Sequence, residues 1–167
     1  MILVLLGTQN NSFHRLLEEI ERLLQNKVIN EEVIVQAGYT KYESKSIKIL
    51  DFISNKELEE LQKKADLIIT HGGVGSIITS IGMGKKVIAV PRLHEYGEHV
   101  NNHQKEIVEK FHKNGNIIGI QSVGELEEAI KKVKEFNPIP YTKNNSNMLE
   151  IIEKFIDDIN HKTKKEF

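Results

Sequence analysis

Short, largely apolar runs alternate along the chain with stretches whose apolar residues recur at helical spacing. The runs lie at residues 2–6, 33–35, 47–50, 67–69, 87–90 and 117–120. Between them, helical stripes recur, as in Phe13, Leu16, Leu17, Ile20, Leu23 and Leu24. A run that is apolar at every position is typical of a strand covered on both faces. The pattern therefore predicts an α/β fold with a doubly wound, Rossmann-like parallel sheet.

Local signals add helix boundaries and a domain boundary to this picture. Ser54 with Glu57, and Ser122 with Glu125, have the spacing of capping boxes and predict helix starts. The spacing of apolar residues from Val100 onward predicts a further helix. We assign residues 1–136 to the Rossmann-like domain. Residues 137–167, which contain Pro138 and Pro140 near their start, are predicted to be a linker and a C-terminal helix.

Composition removes several classes of function. The 167 residues fit one domain, and a net charge of −1 gives no global field for nucleic acid. The absence of cysteine excludes disulfides and thiolate metal sites. The opening residues, MILVLLGTQ, lack the basic start of a signal peptide, and no run approaches the ~20 apolar residues of a membrane span. We therefore expect any membrane contact to be peripheral.

The sharpest chemical signal is the segment HGGVGS at residues 71–76. It follows a predicted strand and opens a predicted helix, so its amides lie at the positive end of a helix dipole. A helix N-terminus with small residues favours an anion such as a diphosphate. Ligands of α/β sheets bind beyond the carboxyl ends of strands, which is where this turn must lie. A tight turn without a ligand is the alternative interpretation.

Two further polar segments follow strands and face the same edge of the sheet. The residues after the strand at 87–90 are rich in side chains that hydrogen-bond hydroxyl groups: His94, Glu95, Glu98, His99, Asn101, Asn102, His103 and Gln104. Such groups suit a sugar, although a solvated loop before a capped helix would explain several of them. Gly7-Thr8-Gln9, after the first strand, is a weaker signal of the same kind.

In order and spacing, these segments resemble a known family. The segments GTQ, FHRLL, QAGYTKY, ADLIITHGGVGSI, KKVIAVPR and YGEHVNNHQ, from Met1 to about Gly119, resemble PssE-type bacterial exopolysaccharide and capsule glycosyltransferase subunits. Those subunits are similar to the donor-binding subunit of the eukaryotic enzyme that adds the second GlcNAc to dolichol-linked oligosaccharide. Both look like the C-terminal, donor-binding domain of glycosyltransferase family 28, the MurG-like enzymes.

The resemblance implies a single C-terminal-type half of a GT-B glycosyltransferase. It implies the donor-binding subunit of an inverting two-subunit enzyme, which transfers a hexosyl unit from a UDP-sugar to a lipid-linked saccharide acceptor in exopolysaccharide or capsule biosynthesis. A membrane-anchored partner subunit would bind the acceptor. The chain would then be cytoplasmic and peripheral at the inner face of the membrane. No cofactor and no metal are expected.

Residue reading and resemblance together give a set of donor-binding candidates: Gly7, Thr8, His71, Gly72, Gly73, Gly75, Ser76, Thr79, Arg92, Asn102, His103 and Gln104. Gln104 is the favoured sugar contact, and Arg92 is expected to offset charge on the departing UDP. Thr79 departs from the family, which often has a glutamate there for the ribose hydroxyls. His71 is either a catalytic group or a turn histidine that holds the glycine loop.

Other functions fit the sequence less well. His94, His99 and His103 suggest zinc, but no carboxylate is placed to complete such a site. A nicotinamide-dependent oxidoreductase would carry its glycine cluster after the first strand, and a nucleotide-sugar epimerase would need a second domain. A non-catalytic scaffold or enhancer subunit of a membrane-associated transferase remains the alternative, because Thr79 weakens the case for ribose recognition.

The last predicted helix has a broad apolar face, formed by Met148, Leu149, Ile151, Ile152, Phe155, Ile156 and Ile159. This face either packs on its own domain or binds the partner subunit. In the second case Phe155 and Ile159 are the docking candidates.

Overall fold

The structure is a computed structural model that describes residues 1–141. The described strands are β1 (Ile2–Leu5), β2 (Val33–Gln36), β3 (Lys48–Leu50), β4 (Leu67–His71), β5 (Lys86–Val90) and β6 (Ile118–Gly119). The described α-helices are α1 (His14–Gln25), α2 (Asn55–Lys64), α3 (Val74–Gly82), α4 (His103–Lys113) and α5 (Leu126–Val133). Short 3-10 turns occupy His94–Tyr96 and Val123–Glu125.

The six strands form one parallel sheet in the order β3-β2-β1-β4-β5-β6. The chain order reverses beside β1, where Leu5 pairs with Gln36 of β2 on one side and with Thr70 of β4 on the other. In sheets of this kind the crevice at the reversal point, beyond the carboxyl ends of the strands, is where ligands bind. The predicted doubly wound fold is confirmed.

Two apolar cores cover the two faces of the sheet. Along β1, Ile2 and Val4 belong to the core under α1 and α5, whereas Leu3 and Leu5 belong to the core under α2, α3 and α4. Each of these strand residues is at most 3% exposed. Burial on both faces explains why the strands read as continuous apolar runs rather than as an alternating pattern.

Helix starts follow the sequence signals in two of three cases. The Ser54–Glu57 capping box opens α2 as predicted. The Ser122–Glu125 box also forms, but it opens the 3-10 turn that leads into α5. The helix predicted from Val100 begins instead at His103, and Val100 is 64% exposed. Hydrogen bonds within residues 94–103, including one from the His103 amide to Asn101 Oδ1, delay the helix start.

Residues 137–141, where the linker was predicted to begin, pack on the domain. The Ile139 amide donates to the Gly115 carbonyl, and Asn116 Nδ2 donates to the Ile139 carbonyl. Tyr141 packs against the core under α2, α3 and α4. The predicted C-terminal helix, with the docking candidates Phe155 and Ile159, lies outside the described residues.

Candidate functional site

Loops that follow β1, β4 and β5 meet at the carboxyl edge of the sheet, and His71 is the point where the first two touch. A Cβ added to Gly7 would lie 2.7 Å from His71 Cε1, and one added to Gly73 would lie 2.3 Å from His71 Nε2. Both glycines are therefore required by the close packing of this ring. The loops after β1 and β4 can approach the His71 ring this closely because glycine carries no side chain.

His71 is a neutral histidine in this setting. Burial, and secondarily the Arg92 cation, lowers its pKa to about 4. Its Nδ1 lies 3.2 Å from the Leu5 carbonyl oxygen, which can only accept, so we assign the proton to Nδ1. Nε2 is then an acceptor. This arrangement supports the role of a turn histidine that holds the glycine loop, and it leaves a catalytic role as a prediction.

The N-terminus of α3 offers its amides to the crevice. Its cap residue is Gly73, no side chain caps the helix, and its first turn holds no acidic residue. The amides of Val74, Gly75 and Ser76 have no partner within the helix. Gly75 is exposed, and a Cβ added to it would meet no atom within 4 Å. A helix N-terminus of this kind can bind an anionic group through both its N–H donors and its dipole.

Gly72 and Gln104 bring α4 against the glycine turn. A Cβ on Gly72 would lie 2.7 Å from Gln104 Cβ and 3.0 Å from Val108 Cγ2. Gln104 is 5% exposed, and its Oε1 accepts a hydrogen bond of 3.0 Å from the Arg92 amide. The structure thus gives Gly72 and Gln104 a packing role. A direct contact between Gln104 and a sugar stays a prediction.

Arg92 requires a correction. We expected it to face the departing nucleotide, but its side chain is 1% exposed. Its Nη2 donates to the Leu6 carbonyl at 2.6 Å, and its Nη1 donates to the carbonyls of Asn11, Ser12 and Glu98 at 2.8, 3.3 and 3.3 Å. Both terminal nitrogens of the guanidinium thus bind backbone oxygens beneath the loops, its Nε has no partner among the described residues, and the group does not face the crevice.

The Glu98 carboxylate is likewise not available to a ligand. Its carboxylate is bound bidentately by Arg15, with Nε–Oε1 at 2.7 Å and Nη2–Oε2 at 2.8 Å, and Oε2 also accepts from the Leu93 amide at 3.0 Å. Glu98 is 3% exposed. The expectation that it contacts a sugar hydroxyl is therefore wrong for this conformation.

Several predicted residues remain exposed at the carboxyl edge or on α3: Thr8, Thr79, Asn102 and His103. Asn102 is held by its neighbours, since its Oδ1 accepts from the His94 amide and its Nδ2 donates to Glu95. His103 Nδ1 lies 3.9 Å from a Glu106 oxygen. Ser76 is partly exposed in the first turn of α3. We call these exposed polar side chains the polar rim; Glu98, Gln104 and Arg92 are buried beneath it.

Sequence reasoning missed an exposed aromatic pair. Tyr39, after β2, and Phe52, after β3, pack edge to face with their ring centroids 5.0 Å apart, and they are 54% and 53% exposed. Tyr39 follows Gly38, which lies against Gly7. The signal that would have found this pair is the position of both residues directly after strands of the same sheet.

Among residues 1–141, no group of three or more histidine or acidic side chains is arranged to hold a metal ion. Over the same residues, none of the helices has the length and apolar character needed to cross a membrane.

A cavity of about 700 Å³ lies between β6 and α5, but none of its lining residues belongs to the crevice. We place the candidate site at the crevice because the helix N-terminus and the polar rim converge there.

Solved structures show which fold the chain shares. The fold is similar to the solution structure of ALG13 (TM-score 0.57, 19% identity, 90% of this chain and 93% of that chain). It is also similar to part of the calicheamicin glycosyltransferase CalG4 (0.57, 15%, 96% and 38%) and of Acinetobacter baumannii MurG (0.54, 18%, 78% and 40%). At these identities the likeness concerns the fold alone. The chain has the architecture of a single C-terminal-type half of a GT-B glycosyltransferase.

Sequence comparison then gives the family. Residues 1–160 match the glycosyltransferase family 28 C-terminal domain, and the chain belongs to this family. The "UDP-N-acetylglucosamine transferase subunit ALG13" of Candida glabrata is 32% identical over 126 residues, which cover 74% of this chain and 60% of that protein. Its human counterpart is 30% identical over 101 residues, covering 60% of this chain and 8% of that protein. The chain therefore spans only part of these curated relatives.

Proposed function

We propose that this chain is the donor-binding subunit of a two-subunit inverting glycosyltransferase that uses a UDP-sugar. The observation that carries the proposal is the open N-terminus of α3 at the point where the sheet order reverses. This helix start has no side-chain cap and no acidic residue, and Gly75 leaves space above it. These features suit a diphosphate, which the family and the names of the relatives supply as the UDP portion of the donor.

In this proposal the amides at the start of α3 have two roles. They bind the diphosphate in the ground state, and they stabilise the charge that grows on UDP as the glycosidic bond breaks. Because His71 Nε2 is an acceptor, it suits a hydroxyl or an amide of the ligand better than a phosphate oxygen. The amides rather than His71 are therefore assigned to the phosphates.

The remaining parts of the donor are assigned to the two sides of the crevice. The exposed side chains of Thr8, Asn102 and His103 suit the sugar hydroxyls. The exposed pair Tyr39 and Phe52 offers aromatic surface to the base. Thr79, where the family often has a glutamate, would give the ribose a weaker hydrogen bond than a carboxylate does.

The proposal assigns the acceptor to a partner. A complete GT-B enzyme has two α/β domains, and the described residues form one sheet and one wall of a cleft. The relatives are named as transferase subunits, which supports a division of labour. We propose a membrane-anchored partner that binds a lipid-linked saccharide, with this chain peripheral at the cytoplasmic face through that partner.

Two biosynthetic settings compete. The sequence segments resemble exopolysaccharide and capsule subunits, a setting that favours transfer of galactose onto a lipid-linked glucose. The relatives named above carry N-acetylglucosamine in their names. We propose a UDP-hexose or UDP-N-acetylhexosamine donor, and the donor that binds most tightly distinguishes the two settings.

Calorimetric titration of the purified chain tests the donor site. UDP, UDP-GlcNAc, UDP-galactose and UDP-glucose are compared, with ADP as the control for base recognition. We expect saturable binding of UDP and of at least one UDP-sugar, with weaker binding of ADP. A chain that binds none of the uridine ligands, alone or with its co-expressed partner, contradicts the donor-site proposal and favours the scaffold alternative.

A further inference from the structure

We propose that Arg92 is a positioning residue, whose buried guanidinium fixes the loops after β1 and β5 in the shape that the nucleotide sugar meets. The inference deepens the proposed donor site and rests on it. Within residues 1–141, no other arginine is as buried as Arg92.

The contacts of Arg92 span both ends of one loop and reach a second. Nη2 donates to the carbonyl of Leu6, at the start of the loop after β1. Nη1 donates to the carbonyls of Asn11 and Ser12, at the end of that loop, and to the carbonyl of Glu98 in the loop after β5. The segment between these anchors contains Gly7 and Thr8, both predicted to touch the donor. One side chain therefore sets the positions of several candidate contacts.

Arg15 strengthens the same connection from outside. Its bidentate pair with Glu98 holds the loop after β5 to the start of α1, and its guanidinium carbon lies 4.2 Å from the centre of the Tyr96 ring. Phe13 lies between the two arginines, with 5.0 Å from its ring centre to Arg92 Cζ and 5.7 Å to Arg15 Cζ. The loops after β1 and β5 are thus joined by two cations around one aromatic ring.

The loops also make direct contacts that depend on this alignment. Asn11 Nδ2 donates to the Gly97 carbonyl at 2.8 Å, and Gln9 Nε2 lies 3.2 Å from His99 Nε2. Both contacts are at the exposed surface, where such bonds contribute little by themselves. In the proposal the buried contacts of Arg92 bring the loops together and so allow these two contacts to form.

The arrangement is specific to arginine. A planar guanidinium presents donors in several fixed directions, so it can satisfy carbonyls on separate segments. A lysine ammonium is a compact charge with three donors and cannot span the same set. Burial lowers the pKa of Arg92 to about 10, while the nearby Glu98 carboxylate opposes that shift, so the cation persists at neutral pH.

The test is hydrogen–deuterium exchange of the full chain, without ligand, for Arg92→Lys, Arg92→Met and wild type. We expect exchange in peptides covering residues 7–13 and 93–101 to be about tenfold faster in both variants, with peptides covering α1 and β4 unchanged. UDP affinity should fall about tenfold in both. The matched control is Arg22→Met, which removes an exposed arginine paired with Glu19 and Glu127, and should change neither measurement.

The outcomes separate three roles. If Arg92 contacts the diphosphate directly, loop exchange stays at the wild-type rate, affinity falls, and Arg92→Lys retains part of it; that result overturns the proposal. If Arg92 only supports global stability, exchange rises throughout the chain, which also overturns it. Should Arg92→Met fail to fold, Glu98→Gln, which weakens the same connection at Arg15, must loosen the same two peptides. Loop exchange is measured without ligand, so this test remains decisive even if wild type binds no UDP.

Discussion

The histidine that opens the glycine turn links the packing of the crevice to pH. The pKa of His71 is about 4 in the folded chain, against an ordinary value near 6.5. Between these values the unfolded chain binds a proton that the folded chain excludes. The contribution of His71 to stability is therefore complete above about pH 6.5 and is lost as the pH falls towards about 4.

Replacing His71 with asparagine should remove that part of the pH dependence. Wild type is expected to lose about 2 kcal/mol of unfolding free energy from this group between about pH 7.5 and about pH 5. The measurement is urea unfolding of both proteins at the two pH values, comparing the differences rather than the absolute stabilities. Equal pH differences in the two proteins would show that His71 is not held neutral.

A neighbouring glycine supports the same turn from the β2 side. Gly38 has φ of +58°, and a Cβ on it would lie 2.4 Å from the Gly7 carbonyl oxygen. Gly84 also has positive φ, at +71°, but a Cβ there meets nothing within 4 Å. The two positions share the backbone strain and differ in the clash, so Gly84→Ala is a matched control for Gly38→Ala.

Gly84→Ala should cost about 1 kcal/mol of unfolding free energy, which is the strain of a left-handed alanine. Gly38→Ala should cost about 1–3 kcal/mol more, because backbone atoms must move. It should also displace Gly7 and weaken UDP binding, which Gly84→Ala should leave unchanged. Denaturant unfolding and UDP calorimetry on both variants check this. Equal losses of unfolding free energy for the two substitutions would mean that the Gly7 loop moves aside without an energetic penalty.

Residue types could be predicted from the sequence better than residue roles. Arg92, Gln104 and Glu98 were recognised as polar residues beside the candidate site, yet all three are buried. Arg15 and Glu98 are 83 residues apart, and no local pattern announces their pairing. Partners of this kind are decided by how the loops fold over one another.

At the scale of elements, the sequence predicted the strands well because their burial is visible in composition. Six apolar runs correspond to six strands; the central strands are buried on both faces and are almost entirely apolar, whereas the edge strand β3 contains the exposed Lys48 and was found from its flanking apolar residues. The start of α4 was missed because side-chain hydrogen bonds in residues 94–103 compete with helix formation. The glycine turn and the open start of α3 were both predictable, since glycine spacing and the absence of acidic residues are local signals.

The effect of a negative charge introduced at the start of α3 can be predicted, and the same helix provides a control position. Gly75 and Gly82 are both exposed glycines of α3, and a Cβ meets nothing within 4 Å at either. Gly75→Glu places a carboxylate beside the proposed diphosphate, whereas Gly82→Glu places the same charge at the far end of the helix. We expect Gly75→Glu to weaken UDP binding at least about tenfold and Gly82→Glu to leave it nearly unchanged.

Calorimetry on the two variants decides the point, with thermal unfolding to confirm that both are folded. An acidic residue in the first turn interacts favourably with the helix dipole and stabilises the helix. Lost UDP binding by Gly75→Glu therefore cannot be ascribed to a weakened helix. Equal affinities for the two variants would place the ligand elsewhere than at α3.

At the scale of the whole molecule, the described residues form one sheet, which in the proposed two-subunit enzyme would provide one wall of the cleft. Glycosyl transfer also needs an acceptor site and a group that activates the acceptor. We expect this chain alone to show no turnover with a UDP-sugar and a lipid-linked acceptor, and the co-expressed partner to restore it. Product formation, followed with a radiolabelled donor, is the measurement. Robust turnover by the isolated chain would contradict the division between subunits.

The partner contact has its own prediction from the sequence. Phe155→Asp combined with Ile159→Asp should abolish co-purification with the partner, because charged residues would replace apolar ones in a buried joint. UDP binding should be unaffected, since the proposed donor site lies within the first 104 residues. Co-purification at the wild-type level would show that these residues do not form the joint.

The most direct test of the whole account is an amide NMR titration of the chain with UDP. We predict that the largest shifts occur at the amides of residues 73–76, with smaller ones at Gly7 and Thr8. The contradicting result is a titration that saturates without changing the chemical shifts of these amides and instead shifts Gly119 and Gly124, beside the cavity between β6 and α5. That result would rule out the proposal that α3 binds the diphosphate.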